Sequence, residues 1–288
     1  MSHKHYYVVP RLRVVEYRAH AGAYLVGVPQ PTTVAGLVHR LGLLLAEKYH
    51  CAQVALPRMA YGVSNYGGLQ GSSLGSRSTS GQYKPDYVKA APLEDRARAS
   101  IDLSLLIELS VADGAPLPSV ADVTSVLERL GLQGGAFFVE APVVQSVSLE
   151  KAIQRLPGNA FYLTDASETL EALLADQPTL STADALYALI SRPQDPDEYK
   201  PRWVPVIAGW RTLPGAVRTT EVSPNAKRHA LTEPAIGLAR FRSKGSFRAA
   251  ATQDPESIFW EYAQKNYEGY PYFLLTRGAP ANALDFVL

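Results

Sequence analysis

Residues 99–113, ASIDLSLLIELSVAD, decide the fold class: Ile101, Leu103, Leu105, Ile107, Leu109 and Val111 recur every second position, so an extended chain places all six on one face. This is the clearest strand signal in the chain. Upstream, residues 52–61 (AQVALPRMAY) suggest another strand. Between the two, residues 62–92 (GVSNYGGLQGSSLGSRSTSGQYKPDYVKAAP) are rich in Gly and Ser and cannot pack a core of their own. Loops of that length in compact domains are usually functional, and this one is anchored to the sheet by residues 99–113.

Working outward, residues 6–18 (YYVVPRLRVVEYR) are β-branched and aromatic and predict a strand, with Pro10 marking an edge or a bulge. Arg11 and Arg13 then share a face. After GVPQP, Thr32 or Thr33 is placed to cap a helix whose apolar positions Val34, Leu37, Val38, Leu41, Leu44 and Leu45 follow the 3.6 period. His39, Arg40 and Lys48 fall off that stripe. Helices are predicted over 119–131, 148–156, 166–176 and 181–191, with Ser or Thr where N-caps belong and acids in the first turns. Gly134 and Gly135 precede a strand-like AFFVE. Residues 192–201 (RPQDPDEYKP) read as a polar linker. VPVIAGWRTL resumes strand character, a basic irregular stretch runs from Pro214 to Arg248, and PESIFWEYAQKN and PYFLLTRG predict a closing helix and strand. The pattern is that of an α+β fold.

The 288 residues are 47% hydrophobic, enough for an ordinary core and against disorder over most of the chain. The single cysteine, Cys51, allows no internal disulfide and fits a reducing cytoplasm. One cysteine and six histidines show no CxxC or HxxxH spacing, so no metal or other cofactor is expected. No apolar stretch approaches the length of a membrane span, and the start is charged throughout its apolar run, so neither membrane insertion nor export is expected.

The net charge of +1 conceals blocks of opposite sign. Residues 1–100 carry 12 basic and 5 acidic side chains, residues 101–200 carry 5 and 15, and residues 201–288 carry 11 and 7. Blocks of opposite sign usually face different partners, and the basic ends suit a polyanion. Catalytic motifs are weak by comparison. GSSLG (71–75) lacks the strand before and helix after that a nucleophile elbow needs. Neither GxxxxGK[ST] nor GxGxxG is present. The middle acids are expected on solvated helix faces, and His39 beside Arg40 has no visible acid–base partner. RNA binding needs Arg and Lys on a surface poor in acid, with aromatic or guanidinium planes for bases. The basic segments supply both: Arg11 and Arg13 on the first strand; His39 and Arg40 on the first helix; Tyr61, Tyr66, Arg77, Tyr83, Lys84, Tyr87, Lys89, Arg96 and Arg98 in and after the loop; and Lys227, Arg228, His229, Arg240, Arg242, Lys244 and Arg248 near the end.

Residues 10–41 (PRLRVVEYRAHAGAYLVGVPQPTTVAGLVHRL), 96–109 (RARASIDLSLLIEL), 155–165 (RLPGNAFYLTD) and 204–242 (VPVIAGWRTLPGAVRTTEVSPNAKRHALTEPAIGLARFR) resemble, in order and spacing, segments of the Csy two family, the Cas five subunits of type I-F CRISPR surveillance complexes. Where that family has GLGEW, this chain has Gly237, Leu238, Ala239, Arg240 and Phe241. The resemblance implies an RRM-like, ferredoxin-like core over residues 1–112 with a thumb at about 62–99. An acidic helical segment (113–200) and a C-terminal part completing the core (201–288) would follow. It also implies a noncatalytic subunit that binds the 5′ handle of the guide RNA, pairs with a large subunit of the Csy one type and caps a Cas seven type backbone, near the PAM of target DNA. Arg11, Arg13, His39 and Arg228 would lie near the handle. The alternatives are a guide-RNA-processing endoribonuclease on the same core, a PAM-reading subunit of a variant complex lacking a large subunit, and a scaffold whose basic face meets acidic protein.

Overall fold

The computed structural model describes residues 2–19, 25, 27–49, 58–70, 98–112, 114–191, 202–218, 229–267 and 270–276. They form an α+β fold around one mostly antiparallel sheet. Strand β1 (Ser2–Arg18) leads through α1 (Pro31–Tyr49) to β2 (Arg58–Gln70) and β3 (Arg98–Ala112). β3 lies between the other two and is antiparallel to both, from Ser2↔Ala112 to Arg18↔Arg98 on one side and from Arg58↔Glu108 to Gln70↔Arg98 on the other. β1 and β2 are therefore parallel, with β3 inserted between them. Pro10 has no N–H to give the ladder, and it sits where the β1–β3 register shifts, between Val9 and Leu12.

Next come α2 (Val120–Leu127), β4 (Gly131–Leu132), β5 (Gly135–Val139) and β6 (Val144–Ser146). β5 and β6 both pair with β1 on the side away from β3. Gly135 lies so close to β1 that a Cβ would stand 2.9 Å from the backbone of Tyr17, which only glycine avoids. After α3 (Leu149–Arg155), β7 (Phe161–Asp165) pairs with β2. The chain continues through α4 (Ser167–Asp176), α5 (Thr182–Ile190), β8 (Arg202–Arg218), β9 (His229–Ser243) and α6 (Lys244–Gln253). A 3-10 turn (Pro255–Ile258), β10 (Glu261–Tyr267) and β11 (Tyr270–Thr276) complete it. The strand order is β10-β11-β8-β9-β7-β2-β3-β1-β5-β4, with β6 beside β1.

Two layers cover the sheet. On the first face, α1 and α2 bury Val34, Val38, Leu41, Leu45, Val123 and Val126 against Tyr7, Val9, Leu12, Val14 and the odd-numbered residues of β3. On the second, α3 and α6 cover Tyr6, Val8, Ala60, Leu106 and Tyr162, and α4 and α5 pack on Trp203, Ile236 and Leu238. Four buried tyrosines fasten the connections. Tyr7, Tyr17, Tyr61 and Tyr162 donate their hydroxyls to the carbonyls of Pro118, Gly27, Pro29 and Pro157 at 2.6–2.9 Å. Burial raises the pKa of each, that of Tyr7 to about 12.

The end of α1 is pinned to the start of α2. Lys48 and Tyr49 both bond Asp122, and the Ser119 hydroxyl caps α2 by accepting from the Asp122 N–H at 3.1 Å. Hydrogen bonds from Lys48 first, then Ser119 and Tyr49, hold the Asp122 carboxyl below the ordinary carboxylate range. A carboxyl whose folded pKa is depressed contributes stability above its unfolded pKa of about 4, and that contribution declines as pH falls through the folded value. Asp122→Asn is therefore expected to make stability less dependent on pH below about 4, as urea titrations from neutral pH into acid would show. An unchanged slope would mean that the cluster contributes nothing.

Several sequence expectations need correction. The α1 helix begins at Pro31, and its first bonds go to the Gln30 carbonyl, so neither Thr32 nor Thr33 is the cap. Pro is favoured at the first helical position because its missing N–H would be unpaired there anyway. Gln30 is buried and accepts from the Ile207 N–H at 2.8 Å, which ties the helix start to β8. The expected loop from residue 62 is strand as far as Gln70. The stretch from Pro214 to Arg248 is not irregular over the end of β8, over β9 and over α6, and PESIFWEYAQKN holds a 3-10 turn and a strand instead of a helix. Two of the middle acids, Asp102 and Glu108, sit on β3 with 3% of their surface exposed, not on solvated helix faces. The linker at 192–201 lies outside the described residues.

Candidate nucleic-acid interface

Among the described residues, the second sheet face is covered only in part. Around Tyr6, Val8, Ala60 and Leu106 it lies under α3 and α6; toward the paired ends of β2 and β3 the described residues leave it exposed. There Ser64, Asp102, Arg13 and Phe138 stand directly opposite one another on β2, β3, β1 and β5. Phe138 is 54% exposed although its neighbour Phe137 is buried, because adjacent residues of a strand point to opposite faces. Val15 and Ala136 form the next pair on the same face.

Charges in this patch are paired. The Arg11 Nε lies 2.7 Å from Asp102 Oδ2 and 3.0 Å from Glu140 Oε2, and Arg13 Nη1 lies 3.3 Å from Glu140 Oε1. Asn65 Nδ2 donates to the same Asp102 oxygen at 2.7 Å. The register shift of β2 between Ser64 and Gly67 and the positive φ of Asn65, 49°, turn that amide onto the carboxylate. Both guanidiniums remain about half exposed while Asp102 is buried. The buried carboxylate thus fixes Arg11 and leaves its outer N–H groups toward solvent. Nearby, Arg98 Nη1 donates to the Glu16 carbonyl at 3.1 Å.

The other predicted binding residues do not join this patch. His39 and Arg40 are on α1, over the opposite face of the sheet. Tyr66 is exposed but hydrogen-bonded to Tyr17, whose ring is in the core of that opposite face. Tyr61 is fully buried, so its ring is closed to a base. Arg240 lies over the Trp203 ring at 5.7 Å, and Arg242 donates to Thr164 at 3.1 Å and Ser246 at 3.2 Å. These two arginines share the second face but are four strand spacings from Arg13, about 19 Å. Lys244 caps the end of α3 through the carbonyls of Gln154 and Leu156, and Arg248 lies 3.6 Å from Glu150. Arg77, Tyr83, Lys84, Tyr87, Lys89, Arg96, Lys227 and Arg228 lie outside the described residues; His229 opens β9 opposite Arg218.

Sequence reasoning missed Phe138, Asn65, Asp102 and Glu140. The pair Phe137–Phe138 was a usable signal, since strand alternation places two adjacent phenylalanines on opposite faces of the sheet. Among the described residues no group of three or more His, Cys, Asp or Glu is arranged to hold a metal ion, and no helix is long and apolar enough to cross a membrane. Comparison with protein-family models gives no match to this chain, and comparison with curated proteins gives none either.

Proposed function

We propose that the chain is a noncatalytic RNA-binding subunit of a CRISPR surveillance complex, of the Csy two kind, which holds the 5′ handle of the guide RNA. The observation that carries this reading is the order β1-α1-β2-β3-α2-β5 with β3 between β1 and β2 and both helices on one face. That order is compatible with the split βαβ arrangement of ferredoxin-like and RRM-like folds, which supports the reading. The site of the insertion supports it further. Residues 71–97, with Arg77, Lys84, Tyr87, Lys89 and Arg96, connect Gln70 at the end of β2 with Arg98 at the start of β3, and those two residues pair with each other. An RNA-contacting thumb would spring from that end, next to Arg11, Arg13 and Arg98.

A partner-facing surface fits the opposite charge. Residues 161–191 contain Asp165, Glu168, Glu171, Asp176 and Asp184 and no Lys or Arg. Tyr187 on α5 is 73% exposed there. In this reading the helices α4 and α5 face protein, the large subunit or the Cas seven type backbone, and repel RNA.

A gel shift with handle RNA at about 50 and 200 mM salt tests the proposal, since phosphate contacts release counterions and affinity should fall steeply. Equal binding to an unrelated RNA would remove the handle assignment. Metal-independent cleavage of repeat RNA, lost in His39→Ala, would replace the noncatalytic subunit with an endoribonuclease.

A further inference from the structure

We infer that the exposed end of the second sheet face is a nucleobase platform, on which one unpaired base of the bound RNA stacks against Phe138 beside the Arg13 guanidinium. The inference rests on the RNA-binding reading and deepens it by naming the contact. Phe138 exposes 54% of its surface within β5, with Arg13 directly opposite and Ala136 and Val15 next on the same face. Alanine and valine are low beside a phenylalanine ring, so one side of the ring has room for a flat group. Aromatic planes take bases by stacking, and guanidinium planes extend the same surface.

The charge count selects the ligand. Arg11 and Arg13 are balanced by Asp102 and Glu140 within 3.3 Å. A phosphate seated here would have to displace a carboxylate from a guanidinium, and it would meet the negative charge of Glu140. A neutral planar heterocycle leaves every pair intact. Asn65, whose Nδ2 is committed to Asp102, keeps its Oδ1 to accept from a base edge. The phosphate contacts of the same RNA therefore belong elsewhere, and the contribution of Phe138 should be insensitive to salt.

The experiment uses the full chain and handle RNA carrying 2-aminopurine at successive positions, whose fluorescence is quenched on stacking. One position should be quenched by the wild-type protein and not by Phe138→Ala. The Phe138→Ala variant should bind handle RNA about 5- to 100-fold more weakly, by the same factor at low and high salt, and Phe138→Trp should bind at least as well as wild type. An abasic residue at the quenched position should weaken the wild type alike and leave Phe138→Ala unaffected. Because the side chain is more than half exposed, both variants should keep the wild-type circular dichroism melt. Wild-type binding that Phe138→Ala retains in full would overturn the platform while leaving the RNA reading in place. So would a loss confined to a co-purifying protein. Failure of the wild type to bind any RNA would overturn both.

Discussion

Arg58→Met is expected to lower the stability of the protein by about 3 kcal/mol, because it leaves a buried carboxylate without its main partner. Arg58 opens β2, and its side chain is 16% exposed. Its Nη1 lies 3.1 Å from Glu108 Oε1, its Nη2 bonds Glu256, its Nε lies 3.5 Å from Glu261 Oε2, and its guanidinium stands 4.9 Å from the Phe259 ring centroid. Burial alone would lower its pKa, but the hydrogen bond to Glu256 and the charges of Glu108, Glu256 and Glu261 raise it. Glu108 is 3% exposed, and its other cation, Lys4 at 3.4 Å, is half exposed and weakly held. That remaining lysine places the cost at the low end of the range for a broken buried pair, which reaches about 5 kcal/mol. Urea unfolding should show a lower midpoint with an unchanged slope. Adding Glu108→Gln to Arg58→Met should restore more than half of the loss, because the second change removes the orphaned charge. A single variant within about 0.5 kcal/mol of wild type would contradict this account.

Trp260→Ala should cost more, about 3–5 kcal/mol for the lost side chain and its cavity, with about 1 kcal/mol more for its hydrogen bond. Trp260 is 1% exposed and packs in the principal core with Leu163, Val206 and Ala239. Its Nε1 donates to the Leu163 carbonyl at 2.9 Å, and its backbone bridges to Met59 in both directions, at 2.7 and 3.3 Å. One residue thus joins the segment after the 3-10 turn to β2 and β7. Trp260→Phe keeps most of the apolar volume and loses the hydrogen bond, so it should cost about 1–3 kcal/mol. Thermal melts of the two variants separate packing from hydrogen bonding. Equal losses would assign the whole effect to the indole N–H.

Local signals set much of the architecture. The alternation of Ile101 to Val111, the 3.6 period from Val34 to Leu45 and the serines at 119 and 181 specify β3, α1, α2 and α5. The two cap hydroxyls each accept from the N–H three residues on. Weaker local codes lost to long-range pairing. PESIFWEYAQKN contains good helix formers, yet residues 261–267 are a strand because β11 pairs with all seven of them. β9 carries Pro234 and Gly237, which read as breakers, yet it is held between β7 and β8, and Gly237 is needed because a Cβ would come within 2.9 Å of Ala208.

The binding residues divide in the same way. Sequence alone determined that the basic and acidic side chains are segregated along the chain, that Arg11 and Arg13 share a face, and that Phe137 and Phe138 lie on opposite faces of their strand. Tertiary structure decided that Phe138 is the exposed one, through the pairing of β1 with β5. It also put His39 and Arg40 on the far side of the sheet from Arg13, and it neutralised Arg11 and Arg13 with carboxylates from β3 and from the end of β5. The physical reason is range. Backbone periodicity and capping act over a few residues and are written locally, whereas coverage of a sheet face and pairing of a charge depend on strands and helices tens to hundreds of positions away.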